Sequence, residues 1–110
     1  MSAWYSLEGQ LTVRNTPSVM RLVEEFNKVG GGITAYVEAD EARATATVEF
    51  SGGDFFTAVG VQTIDQKARN FGAHVLAPTR LAYDYEGEPG QLLIGGGEDG
   101  PRESTLRLAE

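Results

Sequence analysis

Apolar side chains in this chain recur at two different spacings, and the order of these spacings restricts the fold more than any other feature. From Tyr5 to Val13 every second residue is apolar or small, which is typical of a half-buried strand. Between Val19 and Val29 the apolar residues instead follow the three- and four-residue spacing of a helix. Alternation returns from Ile33 to Val37 and from Ala44 to Phe50. The chain is therefore predicted to form a strand, a helix and a two-stranded hairpin, in this order.

Capping and turn residues mark the ends of these elements. Thr16 offers a hydroxyl that can cap the first helix, and Pro17 suits its first position because no N–H is needed there. Glycines 30–32 can adopt the left-handed conformation that ends a helix. The hairpin turn is predicted at residues 39–41, and residues 52–54 are interpreted as a turn followed by the N-cap of a second helix.

The second helix is predicted from apolar residues that recur up to Gly72, but one alternative stays open. Gly60 costs a helix about 1 kcal/mol relative to alanine. Several β-branched residues also occur between Thr57 and Ile64, so a strand over this segment is the alternative. The apolar residues of the predicted helix face are Phe56, Val59, Thr63, Ile64, Ala68 and Phe71.

A second hairpin is predicted after the second helix. Leu81, Tyr83 and Tyr85 alternate with polar residues, which indicates a fourth strand. Residues 88–91 fit a type II turn, and residues 92–94 can return as a short fifth strand. Residues 1–95 are thus expected to form a single domain, with residues 96–110 as a flexible, acidic, glycine-rich tail.

The element order βαββαβ with one additional strand predicts an α+β fold. A ferredoxin-like sandwich, with two helices on one face of an antiparallel sheet and a C-terminal hairpin strand, buries all of these apolar stripes together. No motif in the sequence is specific enough to name a family.

Composition excludes several classes of function. The 110 residues contain no cysteine, so a disulfide framework, a thiolate nucleophile and a sulfur-ligated metal site are all excluded. A net charge of −7 opposes binding to nucleic acid or to anionic lipid. A basic start followed by an apolar segment is lacking, and so is an apolar run of about 20 residues, so a cytoplasmic location away from membranes is expected.

Catalytic candidates are few. His74 is the only histidine and has no partner at a diagnostic spacing, so a residue in a helix-to-strand loop is the favoured interpretation. His74 and Tyr83 are the weak alternative for a catalytic site. No cofactor is expected, and neither glycine cluster has the spacing of a phosphate-binding loop.

Acidic residues concentrate near the second hairpin. Between Leu81 and Pro101 there are five carboxylates and no lysine or arginine. Asp84, Glu86 and Glu88 fall at every second position, so all three are predicted on one face of a continuing strand. A solvated hairpin tip is favoured over a metal site, because the segment has no loop of the kind that folds around a cation.

The leading hypothesis for function is a non-enzymatic module, such as an inhibitor, immunity-type or adaptor domain, that binds a basic protein. Its predicted contact residues lie on the second hairpin, where unpaired negative charge would steer a basic partner. The alternative is a small-molecule-binding protein or a cofactor-independent enzyme of the dimeric α+β barrel type. A homodimer is compatible with both hypotheses. The predicted contact residues are Tyr83, Asp84, Tyr85, Glu86 and Glu88.

Overall fold

The structure, a computed structural model, describes residues 2–95 of the chain. Five strands and two helices follow one another in the predicted order, and a short 3₁₀ helix continues the second helix. The predicted tail, residues 96–110, lies outside the described residues. The elements are β1 (Ala3–Arg14), α1 (Pro17–Val29), β2 (Ile33–Asp40), β3 (Thr45–Phe56), α2 (Ala58–Arg69), the 3₁₀ helix (Asn70–Ala73), β4 (Thr79–Tyr85) and β5 (Glu88–Ile94).

The strands form one antiparallel sheet in the order β2-β3-β1-β4-β5. The predicted α+β class, with an antiparallel sheet and two helices, is confirmed. The ferredoxin-like topology is not established by this order, because β5 continues the sheet beyond β4. That finer assignment stays a prediction.

The first helix begins and ends where the sequence indicates. The hydroxyl of Thr16 accepts a hydrogen bond from the amide of Val19, and Pro17 occupies the first helical position. At the other end, Gly31 adopts a positive φ of 56°. Local sequence alone therefore fixes both ends of α1.

The second helix is confirmed, and the alternative strand over residues 57–64 is wrong, but the helix starts later than predicted. Its N-cap is Thr57, whose hydroxyl accepts from the amide of Gly60. Asp54 was the predicted cap; it instead lies within β3, where its Oδ2 accepts from the amide of Gly32 at 2.9 Å. The predicted turn is therefore wrong, because residues 52–54 lie in the second half of a twelve-residue strand.

Close approach of neighbouring strands explains why two glycines occur inside β3. A Cβ on Gly52, which has a φ of 108°, would collide with the carbonyl oxygen of Gly32 on the chain leading into β2. A Cβ on Gly53 would lie 2.6 Å from the Trp4 ring and 2.8 Å from the Cβ of Ser6. Gly52 therefore marks a close approach of backbones within a strand, and Gly53 leaves room for the Trp4 and Ser6 side chains, although in sequence the two glycines resemble a turn.

The second hairpin turns three residues earlier than the predicted type II turn. Tyr85 pairs with Glu88, so the loop consists of Glu86 and Gly87 alone. Both residues have positive φ, 55° and 84°, as in a type I′ turn. The right-handed twist of the strands favours this turn type over the type II turn predicted from Pro89 and Gly90. The predicted turn is therefore wrong, and β5 begins at Glu88.

The core lies between the helices and one face of the sheet. Phe50, on β3, contacts Phe26 of α1 at a ring-centroid distance of 5.0 Å and Phe71 of the 3₁₀ helix at 5.6 Å. The alternate strand residues that point to this side are buried, and those that point away are mostly exposed. The strand residues in the core are Tyr5, Leu7, Leu11, Val13, Ile33, Ala35, Ala46, Val48, Phe50, Leu81, Leu92 and Ile94.

Both edges of the sheet carry a feature that hinders pairing with another strand. On β2, the side chain of Asn27 donates to the carbonyl of Ala35 at 3.0 Å and accepts from its amide at 2.8 Å. On β5, Pro89 has no N–H to donate. Exposed edges invite uncontrolled association, and these residues reduce that tendency.

Among residues 2–95, neither helix has the length and the apolar character that a membrane-spanning segment requires.

We expect Gly52→Ala to destabilise the protein by about 2–3 kcal/mol, because the added methyl group meets a backbone carbonyl and also requires a positive φ. Gly87→Ala is the matched control, since Gly87 has a positive φ of 84° but nothing within 4 Å of an added Cβ. The control should cost only about 1 kcal/mol. Urea unfolding measures both free energies, and equal losses would show that crowding at Gly52 is unimportant.

Candidate binding face

The second hairpin divides its acidic residues between the two faces of the sheet. Asp84 pairs with Pro89, and Tyr85 pairs with Glu88. Paired residues point to the same side, so Asp84 and Glu88 point to opposite sides. The prediction that Asp84, Glu86 and Glu88 share one face is therefore wrong, because the two-residue loop reverses the chain between them.

Two of these carboxylates hold the hairpin loop in place. Oε2 of Glu86 accepts from the amide of Trp4 at 2.7 Å, and the amide of Glu86 donates to the Trp4 carbonyl at 2.9 Å. Oδ1 of Asp84 accepts from the amide of Gly87 at 2.8 Å. These bonds give Asp84 and Glu86 a structural role, and their binding of a partner stays a prediction.

Tyr83 and Tyr85 point toward the helices and surround Tyr5. Their ring centroids lie 6.0 and 6.5 Å from that of Tyr5. The ring of Tyr83 also covers Gly90 on β5, where any Cβ would collide with it. Both side chains are partly buried. Much of their surface is thus used in packing within the molecule.

A polar cluster lies in the core beside Tyr5. The Tyr5 side chain is fully buried, and its hydroxyl has no hydrogen-bond partner among the described residues. Asp65 of α2 is only 4% exposed, and its Oδ2 lies 3.5 Å from Nη1 of Arg69. Burial, followed by the charges of Asp65 and Tyr83, raises the pKa of Tyr5 far above its ordinary value. Tyr5 therefore remains protonated in the folded protein.

His74 follows the 3₁₀ helix in the loop that leads to β4. Its amide donates to the carbonyl of Phe71 at 2.9 Å, and its carbonyl accepts from the amide of Arg14 at 3.1 Å. Tyr83 instead pairs with Leu7. Arg14 and Leu7 are seven positions apart on β1, about 23 Å at 3.3 Å per residue. The structure therefore does not bring His74 and Tyr83 together.

The face of the sheet that points away from the helices, here called the open face, is formed by alternate residues of all five strands. The strand register places Glu8 and Gln10 of β1 at its centre, with Glu49 of β3 directly opposite Gln10. Tyr36 of β2 lies opposite Glu49 in turn. Side chains that are distant in sequence are thus adjacent on this surface.

The open face carries excess negative charge. Its five carboxylates and two guanidinium groups leave a net charge of −3. Among the described residues, one of these seven side chains forms an ion pair: Oδ2 of Asp40 lies 3.8 Å from Nε of Arg43. The seven charged residues of the open face are Glu8, Glu38, Asp40, Glu49, Asp84, Arg14 and Arg80.

Three aromatic side chains are exposed on the same face. Trp4 and Phe55 pair across β1 and β3 and pack edge to face, with ring centroids 5.3 Å apart. They are 37% and 62% exposed. Tyr36 is 63% exposed on the edge strand β2. Aromatic residues flanked by polar ones are the composition enriched in protein interfaces.

Sequence reasoning missed most of this face. The turn predicted at residues 52–54 ends β3 before Phe55, so the sequence does not indicate that this ring lies on the sheet. Glu8 and Glu49 lie on different strands, and no spacing in the sequence indicates that they come close together. Only the order of the strands and their register supply that information.

No group of three or more histidine, aspartate or glutamate side chains within residues 2–95 is arranged to hold a metal ion. Comparisons with protein-family models, with curated proteins and with solved structures gave no match to this chain. The function is therefore inferred from the geometry of the described residues.

We expect Tyr5→Phe to leave stability at pH 7 unchanged or slightly raised, because the lost hydroxyl has no hydrogen-bond partner among the described residues. Above pH 10 the unfolded wild-type chain releases the Tyr5 proton while the folded protein retains it, so wild-type stability falls as pH rises. Phenylalanine has no such proton. At pH 11 the variant should gain about 1.4 kcal/mol relative to wild type.

Urea unfolding at pH 7 and pH 11 measures this difference, and the other tyrosines cancel in the comparison. Tyr5→Ala is the control for packing and should cost about 3–5 kcal/mol at both pH values. A loss of more than about 1 kcal/mol in Tyr5→Phe at pH 7 would show that the hydroxyl is satisfied in solution.

Proposed function

We propose that this chain is a non-enzymatic interaction module, of the inhibitor, immunity or adaptor kind, that binds a basic protein through the open face of its sheet. The observation that carries the proposal is that no described residue covers this face, which carries five carboxylates, two guanidinium groups and three exposed aromatic rings.

Charge complementarity selects the class of partner. Carboxylates spread over a face steer a positive surface toward it and raise the association rate. Among the described residues, Asp40 is the one carboxylate of this face that forms an ion pair. A partner rich in lysine and arginine therefore finds carboxylates available for pairing.

Aromatic residues supply the contacts that charge alone does not. Binding energy at protein interfaces concentrates in a few side chains, among which tryptophan and tyrosine are enriched. Trp4 and Phe55 lie at one end of the face, and Tyr36 lies on its outer strand. Such anchors, beside a charged surface, fit a specific interface better than diffuse electrostatic attraction.

A second copy of this chain is a less favoured occupant of the open face. Two identical faces brought together would each carry a net charge of −3, and like charges across an interface cost several kcal/mol. A basic partner relieves the same repulsion. The charge on this face therefore favours a complex between different proteins.

Part of the second hairpin belongs to the proposed interface. Asp84 lies on the open face beside Ser6 and belongs to the proposed interface. Glu86 and Glu88 are exposed at the end of the hairpin, where they extend the negative field. Tyr83 and Tyr85 would act indirectly, by supporting β1 and β4 from the other side.

We also propose that the fold is a variant of the ferredoxin-like sandwich. In support, β3 lies between β1 and β2, and β1 lies between β3 and β4, so each βαβ unit is split by a strand of the other. The variant differs by the fifth strand at the β4 edge. In this architecture both described helices pack on one face of the sheet, which supports the assignment of the other face to partner binding.

We expect Glu8→Lys or Glu49→Lys to weaken binding of the basic partner about tenfold, equivalent to about 1.4 kcal/mol. Glu24→Lys is the matched control, because it changes the net charge equally but lies exposed on α1. The partner is captured with the immobilised protein, purified, and its Kd measured at two salt concentrations. A captured protein that is acidic, or whose Kd responds equally to Glu49→Lys and Glu24→Lys, would contradict the proposal.

A further inference from the structure

A shallow depression lies on the open face where β2, β3 and β1 run side by side. Its volume is about 270 Å³. This is below the usual range of pockets for small molecules, about 300–1,000 Å³, and suits one side chain. The depression is lined by Gln10, Tyr36, Val37, Glu38, Thr47 and Glu49.

The strand register fixes the arrangement of its polar groups. Glu49 lies directly opposite Tyr36, and Glu38 lies opposite Thr47, two positions further along. Glu38 and Glu49 are thus diagonal neighbours, at a spacing of about 7–8 Å. Both are exposed, and neither belongs to an ion pair among the described residues. Two like charges at this distance repel, and a cation between them relieves the repulsion.

Tyr36 adds a feature that a group of carboxylates alone lacks. Its ring is 63% exposed and borders the depression. The face of an aromatic ring attracts a cation, and arginine stacks on such rings through its planar guanidinium. An aromatic wall with two carboxylates and the amide of Gln10 is a combination of groups that suits a guanidinium.

We propose that the depression receives an arginine side chain of the basic partner, with the guanidinium stacked on Tyr36 and paired with Glu38 and Glu49. This inference rests on the proposed function and specifies the anchor of that interface. Arginine is preferred over lysine because a planar fork can reach two carboxylates while it covers the ring, whereas an ammonium group is a compact and strongly hydrated charge.

The test is an NMR titration of the isotope-labelled protein with N-acetyl-arginine amide. The expected result is a set of amide shift changes centred on the depression, with a several-fold weaker effect for N-acetyl-lysine amide and none for N-acetyl-glutamine amide. Tyr36→Phe should bind within twofold of wild type because it retains the ring. Tyr36→Leu and Glu49→Gln should each bind at least fivefold more weakly. The spectra themselves show whether each variant remains folded.

Glu8→Gln is the matched control, because it removes a charge from the same face outside the depression. Shift changes spread over the acidic surface, or an affinity equally sensitive to Glu8→Gln and Glu49→Gln, would overturn the arginine site. That result would leave the proposed function intact, since it depends on a partner whose binding responds to Glu49→Lys and not to Glu24→Lys. Conversely, the titration could place arginine in the depression while no captured basic protein responds to Glu49→Lys. That result would overturn the proposed function and leave the arginine-binding depression standing.

Discussion

The aromatic contacts of Phe50 hold the architecture together. Phe50 lies on β3, next to the central strand β1, and its ring packs edge to face against Phe26 of α1 and Phe71 of the 3₁₀ helix. Each buried ring of this kind removes about 150–250 Å² from water, and the edge-to-face geometry adds to that gain. These contacts fix both helical segments on the same side of the sheet. Within residues 2–95, no element covers the opposite side, which is the open face.

The glycines of β3 allow a close approach of neighbouring chain segments at the Trp4 end of the sheet. Gly52 and Gly53 let β3 continue past the point where the chain leading into β2 and the Trp4 ring crowd against it. Phe55 thereby reaches the open face and packs against Trp4. A turn at this point would have removed both the aromatic pair and the far end of the open face. The glycines therefore shape the open face as well as the fold.

The polar cluster of Tyr5, Asp65 and Arg69 shows that the covered side is not uniformly apolar. Burial of a polar group costs free energy unless it is paired. The contact with Arg69 offsets the cost of burying the Asp65 carboxylate. The Tyr5 hydroxyl stays neutral, which is the form that burial favours, so the cost of burying it is smaller than for a charged group. The packing of the Tyr5 ring against Tyr83 and Tyr85 joins β1 to β4 on the covered side of the sheet.

Local patterns in the chain specify the type and order of the elements, the caps of α1, the α+β class and the residues that alternate within each strand. These properties depend on near neighbours in the chain, which periodicity and capping residues encode directly. Tertiary structure decided which strands lie side by side, where β3 ends, and how the two-residue loop at Glu86 and Gly87 divides Asp84 from Glu88. The depression at Tyr36 depends on the register of three strands. A shift of one residue would turn Glu38 or Glu49 to the other face, and no local pattern records that choice.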